Sequence, residues 1–420
     1  MSTHKSSNLP PEFAFVGVDK IIISGYGREG KETYKFLKKY LPNKKVSISK
    51  DVDSPNYKKQ EKTHDISIKS PGIPSRKIGI NYTTATNIFL SKIYSNNQVI
   101  GVTGSKGKST TASLIFSILK NAGKKVKFMG NIGKPMLSEI NSIKKDEVIV
   151  LELSSYQLED LYYSPNIAVT TNLFPDHMDY HGGLEPYYKA KKNIINHQKI
   201  EDVFFYNSKN KILSRWAKES VSKPIDFSSI KLPHLEASLS GSHNISNIKA
   251  AVAVSRYLNV SDKVISETIN SFKPLPHRME LIKEFRGISF YDDAISTTPD
   301  STIAAIKSIN KVQTIFLGGE DRGYDFSQLE KEIVKSQIRN IVLFPDSGLR
   351  IFAKNNSFNI LKTKSMKSAV KFAFEHTDKG YACLLSCASP SYSLWKNFEE
   401  KGNEFKKYIN LFSHEKKETE

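Results

Sequence analysis

The sequence predicts an α/β protein of three successive regions, each alternating buried strands with helices. Three observations carry this expectation. A strand, Lys20-Ile-Ile-Ile-Ser24, runs into Gly25-Tyr-Gly-Arg-Glu-Gly30 and then a helix through about Tyr40. A second strand, from Asn97 to Gly101, runs into Gly101-Val-Thr-Gly-Ser-Lys-Gly-Lys-Ser-Thr110 and a helix from Ser109 to Asn121. Strands at Ile288–Tyr291, Thr314–Leu317 and Asn340–Phe344 then alternate with helices, the first over about Ser301–Ile309. Such alternation gives parallel sheets covered by helices on both faces. The length of 420 residues has room for two or three cores. Expected boundaries are 1–95 for a Rossmann-like domain, 96–274 for a central P-loop ATPase-like domain, and 275–420 for a doubly wound Rossmann-like domain.

In the first region, Gly25, Gly27 and Gly30 form a full G-x-G-x-x-G after a strand, with Asp51 and Asp53 downstream. Alone, this reads as a dinucleotide fingerprint that other nucleotide binders share. Strands at Lys45–Ser49 and Asp65–Ile68 follow. The latter ends at Ser70-Pro-Gly-Ile-Pro74, beyond a strand's carboxyl end, where open α/β sheets bind ligands.

The central region opens with a phosphate-binding loop. Its glycines let backbone N–H groups face phosphate oxygens, Lys108 neutralises the outer phosphates, and Ser109 can ligate Mg²⁺ at the positive end of a helix. The general pattern wants glycine at position 102, where valine stands; Gly101, Gly104 and Gly107 make a narrower variant. The strand from Val148 ends in Glu152, a carboxylate placed to hold Mg²⁺. His177, in Asn172-Leu-Phe-Pro-Asp-His-Met-Asp179, lies on a loop and reads as a metal or phosphate group. The helix Tyr187–Ile195 carries Lys189, Lys191 and Lys192, by default a solvated face. Gly241-Ser-His-Asn-Ile-Ser-Asn247 is read as the cap of a helix containing Ala250 to Ala253, and Pro274–Met279 as a linker. Polar clusters at Asp292-Asp293, Gly318–Arg322 and Ser386–Ser393 mark strand-end loops where a substrate would bind.

Composition narrows the class. Hydrophobic content of 39% and charged content of 25% are those of a globular domain. No run of about 18 apolar residues offers a membrane span, and the first residues lack the apolar core of a secretion signal. Cys383 and Cys387 make no disulfide framework. A cytoplasmic, monomeric enzyme without a membrane partner is expected. The net charge of +19 raises nucleic-acid binding as a rival. Its lysines are scattered and no helix-turn-helix, zinc-finger or RNA-binding signature is present, so an anionic small substrate is the expected beneficiary of that field.

Seven blocks in order resemble the Mur ligase family: Thr103–Thr110 in the form T-G-x-x-G-K-S-T, Leu151–Gln157, Asp176–Asp179, His243–Asn247, Leu275–Arg278, Gly318-Gly319, and Trp395–Phe405. The last, with Leu384–Ser389, points to the glutamate-adding members. The resemblance implies a peptidoglycan-precursor ligase that uses ATP and Mg²⁺. Its implied substrates are UDP-N-acetylmuramoyl-L-alanine and glutamate, joined through an acyl phosphate. It implies Gly104, Lys106, Gly107, Lys108, Ser109, Thr110, Asn247, Arg278 and Asp293 at ATP. Ser109, Glu152 and His177 would hold the metal with Lys191, the lysine that the family carbamylates; Lys108, Glu152, His177 and Lys191 form the catalytic set. Lys189 and Lys192 are register rivals of Lys191. Gly25, Gly27, Gly30, Ser70, Gly72, Asn131, Ser154 and Gln157 would meet the UDP-sugar, displacing the dinucleotide reading. Thr297, Arg322, Ser391 and Phe398 would hold glutamate. The resemblance favours D-glutamate; Ile295 and Arg322 stand where the glutamate-adding members carry lysine, which leaves L-glutamate open.

Overall fold

The computed structural model describes residues 15, 17–131, 134–175, 178–234, 242–272, 276–352 and 358–415. His177, Gly241, Pro274 and Leu275, named above, lie outside the described residues. The chain divides into two compact units, residues 1–272 and 273–420.

The first unit holds two sheets. One comprises β1 (Lys20–Ser24), β2 (Lys45–Ser49), β3 (Ile66–Lys69) and β4 (Tyr82–Thr84), in the order β2-β1-β3-β4 and parallel throughout. The other comprises β5 (Gln98–Thr103), β6 (Val126–Gly130), β7 (Val148–Glu152), β8 (Ile167–Thr170), β9 (Val203–Tyr206) and β10 (Lys223–Asp226). Its order is β10-β9-β8-β5-β7-β6, again all parallel. In both sheets the strand order reverses beside the strand that feeds the glycine-rich turn, β1 and β5. That reversal opens a crevice at the carboxyl end, the usual ligand position. One apolar cluster runs through both sheets, from Ile21, Ile23 and Phe89 to Val99, Leu151 and Trp216. The two regions therefore share a core.

The second unit contains β11 (Glu280–Phe285), β12 (Ile288–Asp292), β13 (Val312–Gly318), β14 (Asn340–Phe344), β15 (Asn359–Lys362) and β16 (Ala382–Leu385). The order is β11-β12-β16-β13-β14-β15, parallel except for the β11/β12 hairpin. Separate apolar clusters cover its two faces, one around Phe290, Phe316 and Phe405, the other around Ile315, Leu329 and Ile341. The α/β class with three sheet-containing regions is thus observed. Two details differ from the sequence reading. β11 was not anticipated, and the helix Ser242–Tyr257 already contains Asn247, which lies inside it instead of capping it.

Candidate active site

The phosphate loop joins β5 to the helix Lys108–Asn121. Gly104 and Gly107 have φ of +148° and +84°, which side chains with a Cβ rarely adopt. Space forbids a side chain as well: a Cβ on Gly107 would strike the Asn247 amide, and one on Gly104 the Thr171 hydroxyl. Asn247, 4% exposed, is therefore packed directly on the loop. Lys108 folds its Nζ onto the carbonyls of Gly104 (3.0 Å) and Ser105 (3.1 Å). The backbone N–H of Lys106 donates to Asn172 Oδ1 at 3.0 Å, and its Nζ lies 5.9 Å from the Phe174 ring centre. Ser109 is buried and Thr110 half-buried in the first turn of the helix.

Lys191 is the sequence-predicted residue that the fold treats least like a surface lysine. It is 1% exposed, and its Nζ donates to Gly104 O at 2.9 Å and reaches Thr103 Oγ1 at 3.4 Å, under the phosphate loop. The default solvated-face reading of that helix is corrected for this position. Within Leu184–Asn196 the buried positions are Tyr187, Ala190, Lys191, Ile194 and Ile195, the i, i+3, i+4, i+7, i+8 face of a helix. Of its register rivals, Lys189 is exposed and Lys192 pairs with Glu219 at the surface.

Glu152 ends β7, opposite Val102 of β5, and is 1% exposed. Its Oε1 accepts from Asn131 Nδ2 at 2.9 Å, while Oε2 is buried without a hydrogen-bond partner among the described residues. A buried, unsatisfied carboxylate oxygen costs about 1–3 kcal/mol or more, which a bound cation would recover. The donor set of Glu152 and Ser109 beside the loop thus fits a hard divalent ion. Asn131 meets Glu152 here, although the sequence reading had assigned it to the sugar.

At the carboxyl ends of β1 and β3, Ser70 Oγ donates to Gly25 O at 2.8 Å, and Gly30 packs against the same carbonyl. Gly27 caps the helix Arg28–Tyr40, and Gly72 is exposed on the 70–74 turn. Ser154 and Gln157 hydrogen-bond each other as a capping box. The sequence reading missed Glu29, inside the glycine fingerprint. Burial pushes its carboxyl up to about 7, against the pull of Lys69, a Gln157 hydrogen bond and Arg28. It also missed Lys69, fully buried at the last position of β3. Lys69 pairs with Asp160 at 2.8 Å and Glu159 at 3.4 Å; removing one member of such a pair typically costs about 3–5 kcal/mol. A lysine closing an otherwise apolar strand was the available signal.

The second unit gathers its own polar cluster at strand ends. Asp293 accepts from Ser386 Oγ (2.8 Å) and Met279 N (3.2 Å), and burial pushes its carboxyl up to about 6. Asp292 accepts from His277 Nδ1 at 2.7 Å, and the ring of His277 meets Phe398 edge-on at 6.1 Å. Lys406 also reaches Glu280, at 2.8 Å, so a cation already serves this acidic group. The Arg278 Nε is buried without a hydrogen-bond partner among the described residues. Glu320 N donates to Pro390 O at 2.8 Å, joining the Gly318–Arg322 turn to the loop of Ser391. Ser391 is 3% exposed, with no partner for its hydroxyl among the described residues. Arg322, half exposed, pairs with Glu320 at 2.8 Å and lies 6.0 Å from the Tyr392 ring centre. Thr297 precedes Thr298, the cap of the helix Pro299–Ser308.

The Mur ligase middle domain pattern matches residues 102–231, which span the phosphate loop, Glu152 and Lys191. The chain is 32% identical over 392 residues to the UDP-N-acetylmuramoylalanine–D-glutamate ligase of Acetivibrio thermocellus, covering 83% of each chain. It is 32% identical over 380 residues to the enzyme of that name from Clostridioides difficile, covering 82% of this chain and 84% of the relative. Among solved structures, the MurF ligase of Thermotoga maritima in complex with ADP superposes with a TM-score of 0.61 at 18% identity, over 93% of this chain and 95% of that one. The Thermotoga maritima UDP-N-acetylmuramate-alanine ligase MurC gives 0.60 at 16% identity, over 94% and 99%. These two structures speak for the fold. The relatives, matched across both units and not only at the phosphate loop, carry the conclusion that the chain belongs to the Mur ligase family.

Proposed function

We infer that this protein is an ATP-dependent ligase that joins glutamate, in the D form, to UDP-N-acetylmuramoyl-L-alanine in peptidoglycan precursor synthesis. The observation that carries the reading is 32% identity to ligases of that name over more than four-fifths of the chain. The convergence of Lys108, Lys191 and Glu152 on one glycine loop supports it chemically.

A carboxylate is a poor electrophile, so the alanyl carboxylate first attacks the γ-phosphorus of ATP and ADP departs. The glutamate amine then attacks the acyl carbon, loses a proton, and phosphate leaves as the amide forms. Two anions must meet in the first step, which calls for concentrated positive charge. Lys108, Gly104, Lys106, Gly107, Ser109 and Thr110 hold the ATP phosphates in this reading, with Asn247, Arg278 and Asp293 on the rest of the nucleotide. Mg²⁺, held by Ser109, Glu152, His177 and a carbamylated Lys191, would supply charge neutralisation at the transferring phosphoryl group. A carbamate at Lys191 would retain one N–H and replace the ammonium charge with a single negative charge shared by two oxygens. Gly25, Gly27, Gly30, Ser70, Gly72, Asn131, Ser154 and Gln157 take the UDP-sugar. Thr297, Arg322, Ser391 and Phe398 take glutamate. The corresponding domains are 1–95, 96–274 and 275–420. We place the enzyme in the cytoplasm, as a monomer; among the described residues no helix is long and apolar enough to cross a membrane.

The test is phosphate release from ATP with UDP-N-acetylmuramoyl-L-alanine and D- or L-glutamate in parallel. Release should need both substrates and prefer the D isomer. ATP turnover indifferent to both substrates would sink the reading, and preference for the L isomer would reassign the stereochemistry.

A further inference from the structure

Tyr180 occupies a joint that none of the assigned roles uses. It lies on the short helix Met178–His181 of the central region, half-buried. Its hydroxyl is within hydrogen-bond distance of Pro71 O (2.7 Å), Ile73 O (2.9 Å) and Glu159 Oε2 (3.1 Å). Two of these acceptors are backbone carbonyls of the Ser70–Pro74 turn, which hangs from the first sheet. One hydroxyl proton cannot serve three acceptors, so Lys69 supplies the rest. Its Nζ donates to Ile73 O at 3.0 Å and pairs with Glu159 and Asp160. The Arg76 guanidinium closes the joint from outside by donating to the Tyr180 carbonyl.

The same side chain faces the phosphate loop through its ring. Tyr180 packs edge-on against His181 at 4.7 Å between ring centres, and His181 packs on Tyr187 at 5.6 Å. Tyr187 OH shares a 2.8 Å hydrogen bond with Ser105 Oγ of the phosphate loop, and Lys191 lies over the Tyr187 ring at 5.1 Å. A contiguous path of packed and hydrogen-bonded groups thus runs from the 70–74 turn to the glycine loop.

We propose that Tyr180 is a positioning residue of this ligase, pinning the Pro71–Ile73 turn so that the UDP-sugar loop and the phosphate loop stand in fixed register. The proposal rests on the reading above that the turn meets UDP-N-acetylmuramoyl-L-alanine and the glycine loop meets ATP. In-line attack on a phosphoryl group is sensitive to sub-ångström placement. Ser70 ties the start of the turn to Gly25 O; Tyr180 and Lys69 hold its far end through the Pro71 and Ile73 carbonyls.

The experiment uses the full chain with Tyr180→Phe, which keeps the ring contacts and deletes the hydroxyl. Expected is a KM for UDP-N-acetylmuramoyl-L-alanine raised about fivefold and a kcat lowered about five- to tenfold, with the KM for glutamate unchanged. Deuterium exchange at the amides of Ser70, Gly72 and Ile73 should quicken by a similar factor. Tyr82→Phe is the structural control. The Tyr82 hydroxyl donates to Asp160 Oδ1 at 2.8 Å, within the same ion network, and not to the Pro71 or Ile73 carbonyl, so its loss should lower Tm and leave that KM alone. Unchanged KM and exchange in Tyr180→Phe, or equal KM effects in both variants, would overturn the assignment. If the parent does not use the UDP-sugar, the functional reading fails, and the exchange data alone still decide whether Tyr180 holds the turn. Should Tyr180→Phe not fold, Arg76→Met loosens the same joint from an exposed position, with an expected KM rise of about threefold.

Discussion

The phosphate-loop site and the strand-end cluster of the second unit hold charge in opposite ways. At the loops of the first unit, charged side chains are buried and matched in place: Lys191 on Gly104 O, Lys69 on Ile73 O and Asp160, Glu152 on Asn131. In the second unit two arginines face solvent and pair with neighbouring acids, Arg322 with Glu320 and Arg350 with Asp321, while His277, Asp292 and Asp293 are buried. A buried charge must be matched in place, so the first arrangement tolerates little exchange of residue type. An exposed arginine can replace a lysine at small cost. Both departures from the glutamate-adding resemblance, Ile295 and Arg322, lie in the second unit; the exposure of Arg322 bears on its own exchange, and nothing in the structure explains Ile295.

The largest expected effect breaks the first site. Lys108→Ala should lower turnover by about a thousandfold or more, while Tm by differential scanning calorimetry stays close to the parent; comparable turnover in the variant would refute the role of Lys108. Next is Lys191→Ala, expected to cost about a hundredfold in kcat and to lower Tm, because Gly104 O loses a buried donor. Lys189→Ala, two positions away on the exposed face, serves as its control and should change neither quantity. In the second unit, Arg322→Ala should raise the KM for glutamate by about tenfold and leave the KM for ATP alone. A smaller effect for Arg322→Lys would show that charge matters there more than fork geometry.

A further expected effect, on stability and not on turnover, is one of pH. The Asp293 carboxyl titrates near 6 when folded, against an ordinary value of 3.8. The folded state therefore holds this proton more tightly, and the contribution to stability is greatest below pH 3.8. It declines as pH rises towards 6, by about 3 kcal/mol at most, and is flat beyond. Asp293→Asn should flatten that limb, read as urea midpoints at several pH values by Trp395 fluorescence in a Trp216→Phe background. An unchanged slope would assign the limb to another group.

Much of the first site was legible along the chain. The strand, glycine turn and helix of 97–121 are contiguous, and so is the apolar run ending in Glu152. The burial of Lys191 was also written in its helix, as the Tyr187, Ala190, Ile194 and Ile195 periodicity, although three neighbouring lysines obscured it. β11 was missed: Glu280–Phe285 follows directly on the Pro274–Met279 linker, Leu281 is exposed, and a register shift between Leu281 and Lys283 breaks its alternation, although Arg286-Gly287 makes a turn with φ of +53° and +79°. The resemblance placed Asn131 and Gln157 at the UDP-sugar; that Asn131 also bonds Glu152, and Gln157 bonds Ser154, is visible only in the fold.

What the amino-acid sequence determined by itself is local: which turns can take left-handed backbone, which helix begins at Lys108, and which carboxylate ends β7. Steric limits on φ and the side-chain periods of helix and strand act over a few residues, so these features need no distant partner. Tertiary structure alone decided that Lys69 meets Glu159 and Asp160, some ninety positions along the chain. It also decided that the Tyr180 hydroxyl reaches back to Pro71 and Ile73, and that one core serves the first two sheets. Such pairings form only when the folded layers exclude water and a buried charge must find its counterpart, a requirement that neighbouring residues in sequence cannot express.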